Sequence, residues 1–318
     1  MIHPNFKEYL PSYYFSTINP HAAYPKLEGR LKTETCVIGG GLTGLCTALP
    51  LAENGREVTV LEAARIGFGA SGRSGGQVIS DYACGMEEIE KQVGLEQARW
   101  FWQQSLQAVE LVDERVKKHQ IACNWQRGYA TVAIRPQHWE ELQQWHEHAR
   151  QHYGATHYQL WDKATLKQQL ASDMYLGAQF DPHSGHLHPL NYTLGIARAA
   201  AEAGAQIFEQ SPMTRIEPYQ GGWLVHTPDG SIECQNLVYA VNTYAGLHQK
   251  FKSLEKKPSP SAPSSSPPNR WANAPKNSSA TTWLSATTDT SSTTTASVPT
   301  AACSSAAKTT SSSTIPTA

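Results

Sequence analysis

Gly39, Gly41 and Gly44 stand at the spacing G-x-G-x-x-G, directly after the short apolar run Cys36-Val37-Ile38. An apolar run that stops at glycine reads as a buried parallel strand turning into a helix. In that setting the first glycine permits the tight turn and the second lets a pyrophosphate approach the backbone. The third lets helix and strand pack closely. The helix N-terminus offers unpaired N–H groups and a partial positive charge to the phosphates. A second strand, Val58 to Leu61, ends at Glu62, about 20 residues past the glycines, where a carboxylate accepts ribose hydroxyls. Strand, glycines, helix, strand and acid in this order point to a dinucleotide site. The alternative is a tight strand-to-helix turn in some other α/β protein, with Glu62 a solvated strand end.

A second glycine-rich stretch follows, from Gly67 through Gly69-Ala70-Ser71-Gly72-Arg73-Ser74-Gly75-Gly76-Gln77. So many glycines cost backbone entropy, and a structural or ligand reason is expected. Small residues would let main-chain N–H groups reach an anion or a flat ring, and Arg73 could add charge; the alternative is a flexible loop. His186 and His188 in Gly185-His186-Leu187-His188-Pro189-Leu190 could be metal ligands, but no cysteine or acid sits at a useful spacing. Pro189 fits the first turn of a helix. The two histidines are therefore read as residues at a helix start, with no metal.

The elements that must position these groups follow from periodicity. Leu42, Leu45, Cys46, Leu49 and Ala52 recur near helical spacing up to Gly55, a helix stop. Met86 to His119 reads as one long helix or two, with Trp100, Leu106, Val109, Val112 and Val116 on its apolar face. Trp100, Trp102 and Trp125 are read as packing. Gly128 to Ile134 is a strand candidate, followed by a polar helix from His138 to about His152. Trp161 to Leu166 reads as a loop running into a short helix capped by Asp162, and Tyr175 to Phe180 as a strand. A helix spans Leu190 to Ala203, closed by Gly204. Strands are expected over 205–209, 213–217 and 237–242, and a hairpin over 223–234 with its turn at Asp229-Gly230. Ser12-Tyr13-Tyr14-Phe15 could lie across the body or form a surface arm.

The 318 residues suffice for one or two domains, and the net charge of −1 suggests neither a nucleic-acid partner nor attraction to an acidic membrane. Six cysteines without C-x-x-C spacing fit reduced thiols in a cytoplasmic protein better than a disulfide frame or a zinc site. The start of the chain has no basic-then-apolar leader pattern, and no apolar run approaches the roughly 20 residues that span a bilayer. After about Lys257 the sequence turns to Ser, Thr, Ala and Pro without periodicity, a composition that predicts disorder.

The motifs Val37 to Gly44, Gly69 to Gln77, Gly185 to Leu190 and Val238 to Asn242 resemble those of the FAD-dependent amine and amino-acid oxidoreductases of the D-amino acid oxidase type. The resemblance covers about residues 10 to 250. It implies an α/β fold, a Rossmann-like FAD-binding domain with an incomplete α+β substrate domain. The implied boundaries are an arm at 1–33, FAD-binding parts at 34–85 and 186–250, a substrate-domain portion at 86–185, and a tail at 251–318. By resemblance, Gly39, Gly41 and Gly44 hold the pyrophosphate and Glu62 the adenosine ribose. Ala70, Ser71, Gly75, Gly76 and Gln77 line the phosphates and flavin, and Met213 contacts adenine through its main chain. The implied reaction is hydride transfer from a C–N bond of a small amine, gamma-glutamylputrescine foremost, to flavin. The imine is hydrolysed by water and oxygen reoxidises the flavin; no catalytic residue is assigned.

Two departures stand out. Ser74 occupies a position where asparagine is expected. The late glycine-containing segment of the family is absent from the tail. DNA that encodes Thr300 to Lys308 can also encode, in another frame, an Arg-Arg-Leu-Leu-Phe-Gly-Gly run like that segment, which favours a frameshift after about residue 250. The competing functions are a non-catalytic flavin-binding remnant and an NAD-dependent dehydrogenase; the stretch Gly69 to Gln77 argues against the latter.

Overall fold

A computed structural model describes residues 9–242 and 244, and the backbone of residues 285–287. In chain order the elements are α1 Tyr13–Ser16, β1 Gly29–Ile38, α2 Leu42–Glu53, β2 Val58–Leu61, β3 Gln77–Val78 and α3 Met86–Lys118. Then come β4 Gln126–Ala133, α4 Pro136–Tyr153, β5 Gln159–Asp162, α5 Lys163–Gln169, β6 Gly177–His186 and α6 Pro189–Glu202. The last are β7 Gln206–Phe208, β8 Arg215–Tyr219, β9 Gly222–His226, β10 Gly230–Tyr239 and β11 Ser285–Thr287.

A six-stranded sheet runs in the order β7-β2-β1-β10-β9-β8. Its first four strands are parallel to their neighbours, and β9 and β8 continue it antiparallel. Side chains of β1 alternate between two cores, as strand geometry requires. Val37 joins Leu45, Leu49, Val60, Ile196 and Ile207 on the face covered by α2 and α6. Cys36 and Ile38 join Leu61, Ile216, Val225 and Ile232 on the other face. Burial on both faces explains why the parallel strands read as unbroken apolar runs.

The second sheet has the order β11-β4-β6-β3, with β5 also paired to β6. Helices α3 and α4 cover it through Met86, Ile89, Trp102, Ala149 and Tyr153. Gly94, at φ 79°, breaks α3 into two helices, which settles the choice left open by the sequence. Trp100 does not belong to the buried face: it is 57% exposed, whereas Trp102 is buried. Trp125 does pack, and its indole N–H donates to Asp113 at 2.8 Å.

Several boundaries move for identifiable reasons. β10 is one strand where the sequence suggested two, because its whole length pairs with β1 while Ser231 to Cys234 also pair with β9. Trp161 and Asp162 end a strand, Gln159–Asp162, rather than forming a loop; it is recruited by the edge of β6, and Asp162 still caps α5 by accepting from Thr165 N at 2.8 Å. Ser285–Thr287, inside the stretch expected to lack structure, forms β11 along β4, whose edge offers unpaired backbone groups. The remainder of that stretch, and with it the displaced reading frame, lies outside the described residues. Cys36, Cys46, Cys123 and Cys234 are free, while Cys84 is disulfide-bonded, against the expectation of thiols throughout.

Candidate functional site

The glycine turn sits at the C-terminal ends of β1 and β2. Gly39 N–H donates to Leu61 O at 2.8 Å, tying the turn to the neighbouring strand. Gly39 has φ +114°, and a Cβ there would lie 2.3 Å from Ala240 O, so β10 reaches the turn from the other side. A Cβ on Gly44 would meet Gly39 O at 1.9 Å, the close helix–strand approach that its spacing predicts. Gly41 is the N-cap of α2 in extended conformation, with no side-chain cap of its own. Ser71 supplies that cap from the second glycine-rich stretch: its Oγ accepts from Leu42 N at 2.9 Å. Gly67 N–H donates to Gly40 O at 3.0 Å, so the two glycine-rich stretches form one cradle.

Glu62 closes the cradle. One carboxylate oxygen accepts from Gly40 N at 2.7 Å and the other from Ala64 N at 2.9 Å. Burial lifts its carboxyl above the usual range, the Ala64 and Gly40 donors pull it down, and the neighbouring Glu209 adds to the rise. The carboxylate therefore stands at the strand end, beside the second residue of the glycine turn, where a ribose is expected.

The far half of the loop leaves the parallel sheet and joins the second one. Ala70 opens a single 3-10 turn, and Gly72 N–H donates to Gly67 O at 3.1 Å. Gly76, at φ +70°, approaches the chain before α6 so closely that a Cβ would lie 2.1 Å from Leu187 O. Its own carbonyl accepts from Leu187 N at 2.9 Å. Gly75 and Gln77 are exposed, and Gln77 pairs with His186 as the first residue of β3. His188 caps α6, its Nδ1 accepting from Asn191 N at 3.1 Å, and its Nε2 lies 3.0 Å from Thr17 Oγ1. His186 belongs to the end of β6, not to the helix start. Met213 precedes β8 rather than opening it, and packs against the opposite core, the one that holds Ile216, Val225 and Ile232. Two residues before it, Ser211 N–H donates to Glu62 O at 2.9 Å, which ties this part of the chain to the cradle.

The sequence missed Glu209. It is 2% exposed, pairs with Arg65 at 2.8 Å, and accepts from Ile66 N at 2.8 Å and Tyr24 N at 3.2 Å. It thus binds the chain after Glu62 to the N-terminal arm, which also reaches that chain through Tyr9 O–H donating to Ile66 O at 2.8 Å. The arm therefore lies across the body. The available signal was an acid ending a short apolar strand, the same signature as Glu62.

The residues present fit a dinucleotide: a glycine cradle that a Cβ would fill, a helix N-terminus, and a carboxylate at the end of the second strand. The chain is 44% identical over 250 residues to "Probable oxidoreductase OrdL" of Haemophilus influenzae, covering 79% of this chain and 58% of that protein. It is 37% identical over 239 residues to "Gamma-glutamylputrescine oxidoreductase" of Escherichia coli, covering 75% of this chain and 56% of that one. The chain thus spans little more than half the length of these curated relatives. Among solved structures, glycine oxidase from Geobacillus kaustophilus superposes with a TM-score of 0.57 at 20% identity, covering 70% of this chain and 59% of that one, a likeness of fold. Residues 34–266 match the family described as "FAD dependent oxidoreductase" (DAO), and the chain belongs to that family.

Proposed function

We propose that this chain is part of an enzyme that oxidises a C–N bond of a small amine or amino acid, with FAD as acceptor. The observation that carries the reading is the joint cradle of Gly40, Glu62 and Ser71, built from both glycine-rich stretches in a chain of this family. Bound FAD would supply the two-electron acceptor for a hydride from carbon, leaving an imine that water hydrolyses. The chain's own groups bind and orient. Gly39, Gly41 and Gly44 with the start of α2 hold the pyrophosphate, and Glu62 accepts from the ribose hydroxyls. Ala70, Ser71, Gly75, Gly76 and Gln77 flank the phosphates and the ring, and the main chain at Met213 meets adenine. In this reading the FAD-binding parts are 34–85 and 186–250, and 86–185 belongs to the substrate domain.

The finer reading takes gamma-glutamylputrescine as the amine, supported by the printed name of the Escherichia coli relative, and a cytoplasmic setting. No helix among the described residues is long and apolar enough to cross a membrane. The test is anaerobic addition of gamma-glutamylputrescine to the FAD-loaded chain. Bleaching of the flavin absorbance supports the reading. Flavin that binds but never bleaches with this or other amines favours the second reading, a flavin-binding remnant. Sequencing the gene across the codons for residues 247–260 tests the frameshift.

A further inference from the structure

A cavity of about 430 Å³ lies between the second sheet and the helices α3 and α4, apart from the glycine cradle. Its polar wall carries Asp81, Gln179 and Asp181, and its flat wall carries Tyr129, Trp145 and Tyr158. Gln179 is 7% exposed, and its side-chain carbonyl oxygen has no hydrogen-bond partner. A buried acceptor left without a donor is costly, and native proteins rarely keep one unless something supplies the proton. The charge around it is negative: Glu87 and Glu88 join the two aspartates, against Lys91 alone. Asp81 is the exposed member of this wall, its Oδ1 accepting from Tyr82 N–H at 2.7 Å.

We propose that this cavity binds a primary alkylammonium ion, with its nitrogen between Asp81 and Gln179 and its methylenes against Trp145 and Tyr129. An ammonium group brings three N–H donors and no acceptor, which matches a wall of acceptors. Aromatic faces favour a cation in contact with them and exclude a strongly hydrated ion. A bare metal ion fits poorly: among the described residues no group of three or more His, Cys, Asp or Glu is placed to hold one. The groove continues past Glu87, Lys91 and Trp145 to Glu90 and Glu141, so a second ammonium on a longer amine also finds carboxylates. Tyr129 joins the cavity to the cofactor loop, its hydroxyl lying 3.4 Å from Gln77 Nε2. The inference deepens the proposed amine oxidation, and rests on it for the expectation that an amine is the ligand the protein meets.

Titration calorimetry on the full chain, with and without FAD, tests it using n-butylammonium, 1,4-diaminobutane and neutral 1-butanol. Both amines are expected to bind in either state and the alcohol is not. Asp81→Asn and Gln179→Met should each weaken amine binding at least about tenfold, while Glu147→Gln on the outer face of α4 leaves it unchanged. Should Gln179→Met not fold, Glu87→Gln at the cavity wall serves in its place. Amines that bind no more tightly than 1-butanol, or binding untouched by the cavity variants, overturn the proposal. Amine binding without flavin bleaching would leave this site standing and remove the proposed oxidation; bleaching with no binding to the flavin-free chain would do the reverse.

Discussion

Glu62 and Glu209 end adjacent parallel strands at the same level. Leu61 pairs with Phe208, Glu62 N–H donates to Phe208 O at 2.8 Å, and the two carboxylates lie close enough for Glu209 to raise the Glu62 carboxyl. Their tasks differ because their donors differ. Glu62 turns to Gly40 and Ala64 in the cradle, and Glu209 turns to Arg65, Ile66 and Tyr24 behind it. One lies in the cradle proposed for the ribose, and the other fixes the segment from which the first projects.

Glu62→Ala should weaken FAD binding by about tenfold or more, since a charged acceptor contributes roughly 1.5–3 kcal/mol. Glu62→Gln, which can still accept from Gly40 N, should fall between the two. FAD titration followed by quenching of flavin fluorescence checks both. An unchanged affinity in the alanine variant removes Glu62 from the ribose.

Gly41→Val should yield protein without flavin. A Cβ at this position would already lie 2.8 Å from Ser71 Oγ, and the branched side chain would occupy the approach of the pyrophosphate. The flavin-to-protein absorbance ratio after purification is the measurement. A stoichiometric ratio would contradict the placement of the phosphates.

Glu209→Gln should loosen the N-terminal arm more than it disturbs the sheet. The charge that holds Arg65 is removed, at a cost of about 1–3 kcal/mol. Trypsin should then cut earlier after Lys26 or Arg30 than in the parent chain, as mass spectrometry of timed digests would show.

The Asp113 carboxyl sets an acid limit on the α3–β4 contact. Burial alone would raise its pKa, but Lys117, Trp125 and Arg127 donate to it and bring it to about 2. A depressed folded-state value means that the stabilisation is complete above the unfolded value of about 3.9 and is lost as pH falls toward about 2. Asp113→Asn should lower the melting temperature at neutral pH, and the gap between variant and parent should narrow as the acid limb is crossed.

Much of the cradle was legible in the sequence because local rules dictate it. Gly39 and Gly44 announce a close approach that only glycine allows, and Glu62 ends a run that is apolar because both sheet faces are buried. Asp162 and Pro189 mark helix starts by their own chemistry. What was not legible depends on distant partners. Glu209 looks like any solvated strand end until Tyr24 and Arg65 are brought to it. The division of β10 into two strands followed from its polar middle, Gln235-Asn236, which an edge-to-edge reading treats as a break but which β1 holds in register by pairing Thr35 with Asn236. His186 reads like His188 in sequence, yet one ends a strand and the other caps a helix.

The pairing of β1 with β10 also sets a schedule for synthesis. The glycine turn leaves the ribosome well before Ala240, against which Gly39 is fitted and which comes about two hundred residues later. At usual elongation rates, β1 waits roughly 10–40 s for its second neighbour. Through that interval one edge of the nascent sheet is open, and the cradle lacks the strand that meets Gly39 from the other side. A chaperone that shields an apolar strand edge would act on residues 29–38.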